Sequence, residues 1–376
     1  MFWLKEIELG FRRLPLVLLG FIARRRHTFP VDLDFNQCKF LFLRQDLIGD
    51  ALVSTPVFET LKRHYPGAVI DVLMSPRNHF VLERDPAVRK RWIYRKSPGG
   101  IRSLMREVRH EHYDFMVDLI DNPSRTSTLW CMFGGARWRV GLAKENDFCY
   151  DFAAPFLPKD GYHVAERTAN VLKAFRINPE KESLRVRYFL SQNVERFGSD
   201  VWKDNGLDGH TVVGVNISAG DEVRSWWGNN AIQFLAAVHA RHPDWRILLV
   251  FKPEDRAKAD LLSLSSPFVI LSPNTPSFDH VAALVSRLSF LVTPDTSIVQ
   301  IAAAFNVPAL VLHLKVSSIH GHLWEPYKSD SENLIASVDN VETIPSSEVI
   351  AAFERLSSRN SNRKLKVQQD IARSTS

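Results

Sequence analysis

Lys39-Phe40-Leu41-Phe42-Leu43-Arg44-Gln45-Asp46-Leu47-Ile48-Gly49-Asp50-Ala51-Leu52-Val53-Ser54-Thr55-Pro56 runs from a short apolar segment through a Gly-containing turn into a helical pattern. The run at 39–43 reads as a buried strand, and Val53, Val57, Phe58 and Leu61 share one face of the helix that follows until Pro66 and Gly67 stop it. A strand, a turn and a helix in this order open a parallel α/β unit. Outward from it the same alternation continues, with strands expected at 69–73 and 115–119 and helices at about 101–111 and 163–175. The second half restarts it, with strands at 211–215, 246–251, 290–292 and 309–312, and helices at about 229–242, 277–287 and 296–305.

With 376 residues there is material for two cores. The expected organisation is an amphipathic basic segment at 1–30, an α/β domain at 38–178, a charged linker at 179–210, a second α/β domain at 211–357 and a disordered basic tail at 358–376. Two such Rossmann-like units predict a cleft between domains, with strand carboxyl ends facing it.

The net charge of +6 is concentrated at the ends. Lys5, Arg12, Arg13, Arg24, Arg25 and Arg26 oppose only Glu6 and Glu8, and Arg355, Arg359, Arg363, Lys364, Lys366 and Arg373 oppose only Asp370, which leaves the body net acidic. That distribution argues against a nucleic-acid groove through the folded body and favours an anionic membrane surface as partner. Leu4, Ile7, Phe11, Leu14 and Leu18 stand at helical spacing, and the apolar run at 14–23 is shorter than the roughly 20 residues of a crossing helix. An interfacial helix and an ordinary amphipathic helix packed on the protein both fit this segment. Cys38, Cys131 and Cys149 lie far apart without metal-ligand spacing, so a reducing cytoplasm is expected, with neither disulfides nor zinc.

Three stretches carry candidate chemistry. Asp50 stands at or beside a helix N-terminus, where the free N–H groups and the dipole favour an ionised carboxylate and predict a low pKa. As a cap it needs no further role; as a base it would serve an acceptor whose proton leaves late. Leu291-Val292-Thr293-Pro294-Asp295-Thr296-Ser297-Ile298-Val299-Gln300 reads as a buried strand, a tight turn and a helix start open to an anion such as a pyrophosphate. Asn216-Ile217-Ser218-Ala219-Gly220-Asp221-Glu222-Val223-Arg224-Ser225-Trp226-Trp227 places a cation and a tryptophan after another strand. Arg224 there is either a phosphate ligand or a surface Arg beside a packing Trp.

Taken in order, these stretches resemble glycosyltransferase family 9, the bacterial heptosyltransferases of lipopolysaccharide core assembly. The likeness rests on strand-Arg44-x-x-x-x-Gly49-Asp50 with Ser54-Thr55-Pro56, on Asp295-Thr296 before a helix with Ala302-Ala303, and on Asn216 with small residues before Arg224-x-Trp226. Ser297 and Gln300 stand where the family has glycine and histidine, and Arg224 where it has lysine. Pro253 and Asp255, in Val250-Phe251-Lys252-Pro253-Glu254-Asp255, match a further turn weakly.

The resemblance implies a glycosyltransferase B-type fold and an inverting, metal-independent transfer of heptose from ADP-heptose to a hydroxyl of a lipopolysaccharide core or related surface glycan. It implies Asp50 as catalytic base. Arg224, Asp295, Thr296, Ser297, Gln300 and Ser218 would surround the donor nucleotide and phosphates, and Arg44, Gly49, Ser54 and Thr55 would lie on the acceptor side. No cofactor is expected beyond the nucleotide-sugar co-substrate. The expected partners are that nucleotide sugar and a lipid-linked anionic glycan, with the enzyme in the cytoplasm and its basic ends suited to the inner face of the inner membrane. A different nucleotide sugar, or a non-catalytic nucleotide- or glycolipid-binding relative, are the alternatives. Asp32-Leu33-Asp34 precedes the first core strand and reads as a linker, and His313, His320 and His322 lack carboxylate or cysteine companions at ligand spacing.

Overall fold

The computed structural model describes residues 30, 32–95, 98–316 and 324–374, and the side chains of these except 98 and 361–374. The N-terminal basic segment, His320 and His322 lie outside the described residues. The chain divides between Leu184 and Arg185 into two compact units.

The first unit is a parallel sheet of six strands: β1 Lys39–Arg44, β2 Val69–Met74, β3 Lys90–Ile93, β4 Phe115–Asp118, β5 Trp138–Leu142 and β6 Phe152–Ala154, in the order β3-β2-β1-β4-β5-β6. Its helices are α1 Ile48–His64, α2 Pro98–His110, α3 Arg125–Phe133 and α4 Val164–Ala169, the last running into a 3-10 turn at Asn170–Phe175. β1 is central and covered on both faces, which is why its residues from Phe40 to Leu43 are all apolar and fully buried. The chain order reverses between β1 and β4, so the carboxyl ends of these two strands form a topological switch point, where open α/β sheets receive ligands.

Pro56 interrupts α1, because a proline has no N–H for the carbonyl four residues back. The hydroxyl of Thr55 donates to the Leu52 carbonyl at 2.8 Å and satisfies that oxygen, so the helix continues to His64. Pro66 lies just beyond its end.

The second unit repeats the topology with β7 Val212–Asn216, β8 Arg246–Val250, β9 Val269–Leu271, β10 Phe290–Pro294, β11 Ala309–His313 and β12 Ser331–Ile335, ordered β12-β11-β10-β7-β8-β9 and parallel throughout. Its helices are α5 Gln192–Asp204, α6 Asn229–Arg241, α7 Arg256–Ser265, α8 Phe278–Val285, α9 Ile298–Ala304 and α10 Ser346–Ser374. The switch point here lies between β7 and β10. Phe234, Phe290, Phe353 and Trp226 pack in one core cluster that ties α6 and α10 to the sheet.

The stretch expected as a linker and the stretch expected as a disordered tail both contain helix. The segment 179–210, read from its charge as a linker, contains α5, whose Val194, Val201 and Trp202 are buried. The stretch from 358, read as a disordered tail, continues α10, because Arg359 pairs with Asp330 and Glu332 and Asn360 bonds Asp330 at 2.8 Å. No helix among the described residues is long and apolar enough to cross a membrane.

Candidate functional site

In the first unit, Arg44 ends β1 with its guanidinium fully buried at the switch point. Its Nε donates to the Asp50 main-chain oxygen at 2.8 Å and to Ser54 Oγ at 2.7 Å, and its Nη1 donates to Asp46 Oδ2 at 3.0 Å and to the Leu119 carbonyl at 2.8 Å. A longer contact of 3.4 Å reaches Thr168 Oγ1. One cation therefore ties the turn after β1, the first turn of α1 and the end of β4 together.

Asp50 occupies the first turn of α1, where its Oδ2 accepts the Leu47 N–H at 3.3 Å. Its carboxyl pKa is raised by burial, which outweighs the nearby Arg44 charge and the Leu47 N–H, and the Asp121 carboxylate raises it further. This corrects the low pKa read from the helix terminus alone, because loss of water dominates the local dipole. Asp46 is likewise pushed up, to about 7, by burial against the opposing Arg44 charge, with Asp50 as a like-charged neighbour. Asp121 moves the other way. Burial works against its ionisation, but Arg167, at 3.2 and 2.9 Å in a fork, holds it ionised.

The loop carrying Asp121 is pinned residue by residue. Asp118, fully buried, accepts from Ile120 N at 3.0 Å, from Ser127 Oγ at 2.8 Å, from Lys144 Nζ at 3.1 Å and from the Tyr150 hydroxyl at 2.6 Å. Lys144 also bonds the Ile120 carbonyl. Asp46, Asp118, Asp121, Lys144 and Arg167 were not among the sequence candidates, because their roles come from strands and loops far apart in the chain. Only the position of Asp46 within the first motif could have pointed to one of them.

Most of the residues expected on the acceptor side are buried. Arg44, Ser54 and Thr55 are fully buried. Ser54 Oγ donates back to the Asp50 carbonyl at 2.8 Å and Thr55 serves the Leu52 carbonyl, so both hydroxyls are spent inside α1. Arg44 and Ser54 position Asp50, and Thr55 repairs the proline break; none presents a polar group outward. Gly49, in the first turn of α1, is half-buried.

In the second unit, a pocket of about 410 Å³ lies beyond the carboxyl ends of β7 and β8. Phe251, Pro253, Pro276, Phe278, Val281 and Ile298 give it apolar walls, and Asn216, Ser218, Lys252, Thr275, Thr296 and Ser297 add polar groups. Its volume falls in the range of small-molecule sites. Ser218 Oγ donates to Asp255 Oδ2 at 2.7 Å and accepts the Lys252 N–H at 3.0 Å, which stitches the loop after β7 to the loop after β8. Thr275 is buried and its hydroxyl has no hydrogen-bond partner.

Of the donor-side candidates, Ser218, Thr296 and Ser297 line this pocket, whereas Arg224, Asp295 and Gln300 do not. Arg224 sits on a 3-10 turn, 3.4 Å from Asp221, while Trp226 is buried in the core. Gln300 is buried, with its Nε2 donating to the Glu325 carbonyl at 2.9 Å. Asp295 lies 3.6 Å from Nδ1 of His313, which is fully buried and bonds Asn333 Oδ1 through Nε2 at 3.0 Å. Lys252, Thr275 and Phe278 belong to the pocket. Lys252 was legible only as part of a weakly matching turn, and nothing in the sequence around Thr275 or Phe278 marked them. Asp34 caps the 3-10 turn Phe35–Gln37 by accepting the Asn36 N–H at 3.0 Å.

Comparison with known proteins agrees with the fold. The chain is 24% identical over 347 residues to lipopolysaccharide heptosyltransferase 3 of Escherichia coli (strain K12), covering 82% of this chain and 95% of that protein. Its fold is shared with a family 9 glycosyl transferase from Veillonella parvula at a TM-score of 0.74 and 16% identity, over 87% of this chain and 99% of that one. The structure of E. coli ADP-heptose lps heptosyltransferase II matches at a TM-score of 0.66 and 18% identity, over 85% and 98% of the two chains. Residues 101–343 match the profile of glycosyltransferase family 9 (heptosyltransferase), and with its two parallel six-stranded sheets of Rossmann order this chain belongs to that family.

Proposed function

We propose that this chain transfers a heptose from ADP-heptose to a hydroxyl of a lipopolysaccharide core or related surface glycan, inverting the anomeric carbon without a metal ion. The observation that carries the reading is the character of the two switch points: one holds a carboxylate of raised pKa, Asp50, and the other a pocket of about 410 Å³ with apolar walls and a few hydroxyls. Its likeness to a lipopolysaccharide heptosyltransferase and to an ADP-heptose heptosyltransferase supports ADP-heptose as donor and lipopolysaccharide as acceptor class.

In the proposed reaction the acceptor oxygen bonds to the anomeric carbon as the bond from that carbon to the diphosphate oxygen breaks. Asp50 takes the hydroxyl proton, and ADP leaves with the bonding electron pair. A carboxylate whose pKa is raised by burial is a stronger base than an ordinary one. Ser218, Thr296 and Ser297 lie around the nucleotide and phosphates, and Arg224, Asp295 and Gln300 stand outside the pocket lining. The enzyme works in the cytoplasm, its basic ends drawn to the anionic inner face of the membrane that carries the acceptor.

A second reading keeps the reaction and changes the donor, since Ser297 and Gln300 replace the glycine and histidine of the family pattern. Calorimetric binding of ADP, UDP and GDP in the presence of EDTA separates the two. Selective ADP binding supports the heptose donor, selective UDP or GDP binding replaces it, and absence of binding overturns the transferase reading in favour of a non-catalytic relative.

A further inference from the structure

We propose that Lys252 is the residue that takes the charge of the donor's diphosphate, the role the family resemblance implies for Arg224; the inference rests on the donor-pocket reading above. Lys252 is the cationic side chain among the described residues that line the pocket, and Arg224 is not part of that lining. A nucleoside diphosphate bound there has a chain of negative oxygens to neutralise, and most of the wall cannot do it. Phe251, Pro276, Phe278 and Val281 are apolar, and Glu254 carries the wrong sign.

The geometry keeps the ammonium available. Lys252 lies two residues beyond β8, and its main-chain N–H is fixed to Ser218 Oγ at 3.0 Å, so the root of the side chain is held where the loops after β7 and β8 meet. One donor of Nζ is spent on the Ala219 carbonyl at 3.0 Å. Asp255 lies 3.6 Å away, beyond hydrogen-bond distance, and its carboxylate already takes the Ser218 hydroxyl at 2.7 Å and lies 3.4 Å from Lys258. Lys258 in turn is bound to Glu222. An ammonium has three donors, so two remain for a ligand, and the side chain is 45% exposed.

Arg224 is comparably exposed, at 42%, but stands outside the pocket lining. Its main-chain N–H bonds Asp221 Oδ1 at 3.1 Å, and its side chain faces the carboxylate of the same residue at 3.4 Å. Each cation has a carboxylate three residues away at a similar distance, so what separates them is position: Lys252 lines the pocket and Arg224 does not.

The test is calorimetry on the full chain and on Lys252→Met, Lys252→Arg and Arg224→Met, using each nucleoside diphosphate beside its nucleoside. For the diphosphate that wild type prefers, Lys252→Met is expected to weaken binding about tenfold or more, the size of one charge-assisted contact. Affinity for the nucleoside should stay within about twofold, because the apolar walls are untouched. Lys252→Arg should recover most of the loss, and Arg224→Met should cost less than Lys252→Met. The proposal is overturned if Lys252→Met leaves diphosphate affinity unchanged, if nucleoside and diphosphate weaken together, or if Arg224→Met causes the larger loss. A wild-type chain that binds no nucleoside diphosphate overturns the donor-pocket reading as well, so the two failures are distinct.

Discussion

Arg44 Nε stands 2.8 Å from the main-chain oxygen of Asp50, so a fully buried cation anchors the helical turn that carries the candidate base. The same guanidinium meets Asp46 at 3.0 Å and the carbonyl of Leu119 at 2.8 Å, and these contacts make it the joint between β1, α1 and β4.

Replacing that joint should be costly. Arg44→Met leaves the Asp46 carboxylate and the Leu119 carbonyl without their donor, and breaking a buried pair in this way costs about 3–5 kcal/mol. Arg44→Lys keeps the charge but not the fork, and should fall between Met and wild type. Urea unfolding of the three proteins measures the difference; a loss below about 1 kcal/mol for Arg44→Met would show that the guanidinium is dispensable.

Asp50→Asn keeps the acceptor oxygen for the Leu47 N–H and removes only the base. Turnover should fall by about 10²–10⁴-fold, the usual contribution of a positioned base, while ADP affinity stays within about twofold. Steady-state kinetics and calorimetry on one preparation check both halves. Loss of folding or of ADP binding would assign Asp50 a capping role instead.

The activity should carry an acid limb. Burial raises the Asp50 pKa and the Asp121 charge adds to it, so kcat/KM should rise with pH through an apparent pKa above the ordinary carboxylate range. Asp121→Asn removes a like charge, favours the ionised base and should move the limb to lower pH. A limb that stays in place, or moves upward, would separate Asp121 from the base.

Asp46 ties stability to pH. Its folded pKa, raised by burial from 3.8 to about 7, means that the folded state holds more protons than the unfolded chain between those values. The contribution of the protonated group to stability is therefore full below the unfolded value and is lost as pH rises through about 7. Thermal melts from pH 4 to pH 8 should show a decline that is shallower in Asp46→Asn, a variant that cannot ionise; equal slopes would mean that Asp46 does not titrate in this window.

Every interior strand but β5 was legible, and the edge strands were not. Phe40 to Leu43, and Val212 to Val215 around Gly214, are unbroken apolar runs because both faces of a central parallel strand are covered. β3, Lys-Arg-Trp-Ile, and β12, Ser-Glu-Asn-Leu-Ile, lie at sheet edges and are largely half-buried, so their polar sequences carry no strand signal. The extension of α10 past 358 also escaped, since its anchors, Asp330 and Glu332, stand some thirty residues away.

By itself the sequence determined the class of fold, the order of its two halves and the neighbourhood of Asp50, because apolar periodicity and the turn after a first strand are local properties. Tertiary structure decided the state of the groups there. It buried Arg44, Ser54 and Thr55, raised Asp46 and Asp50 against the pull of a helix terminus, and put Lys252 on the pocket wall from which Arg224 is absent. Burial and charge proximity depend on which loops meet at a switch point, and that is settled by strand order, not by the residues along any one strand.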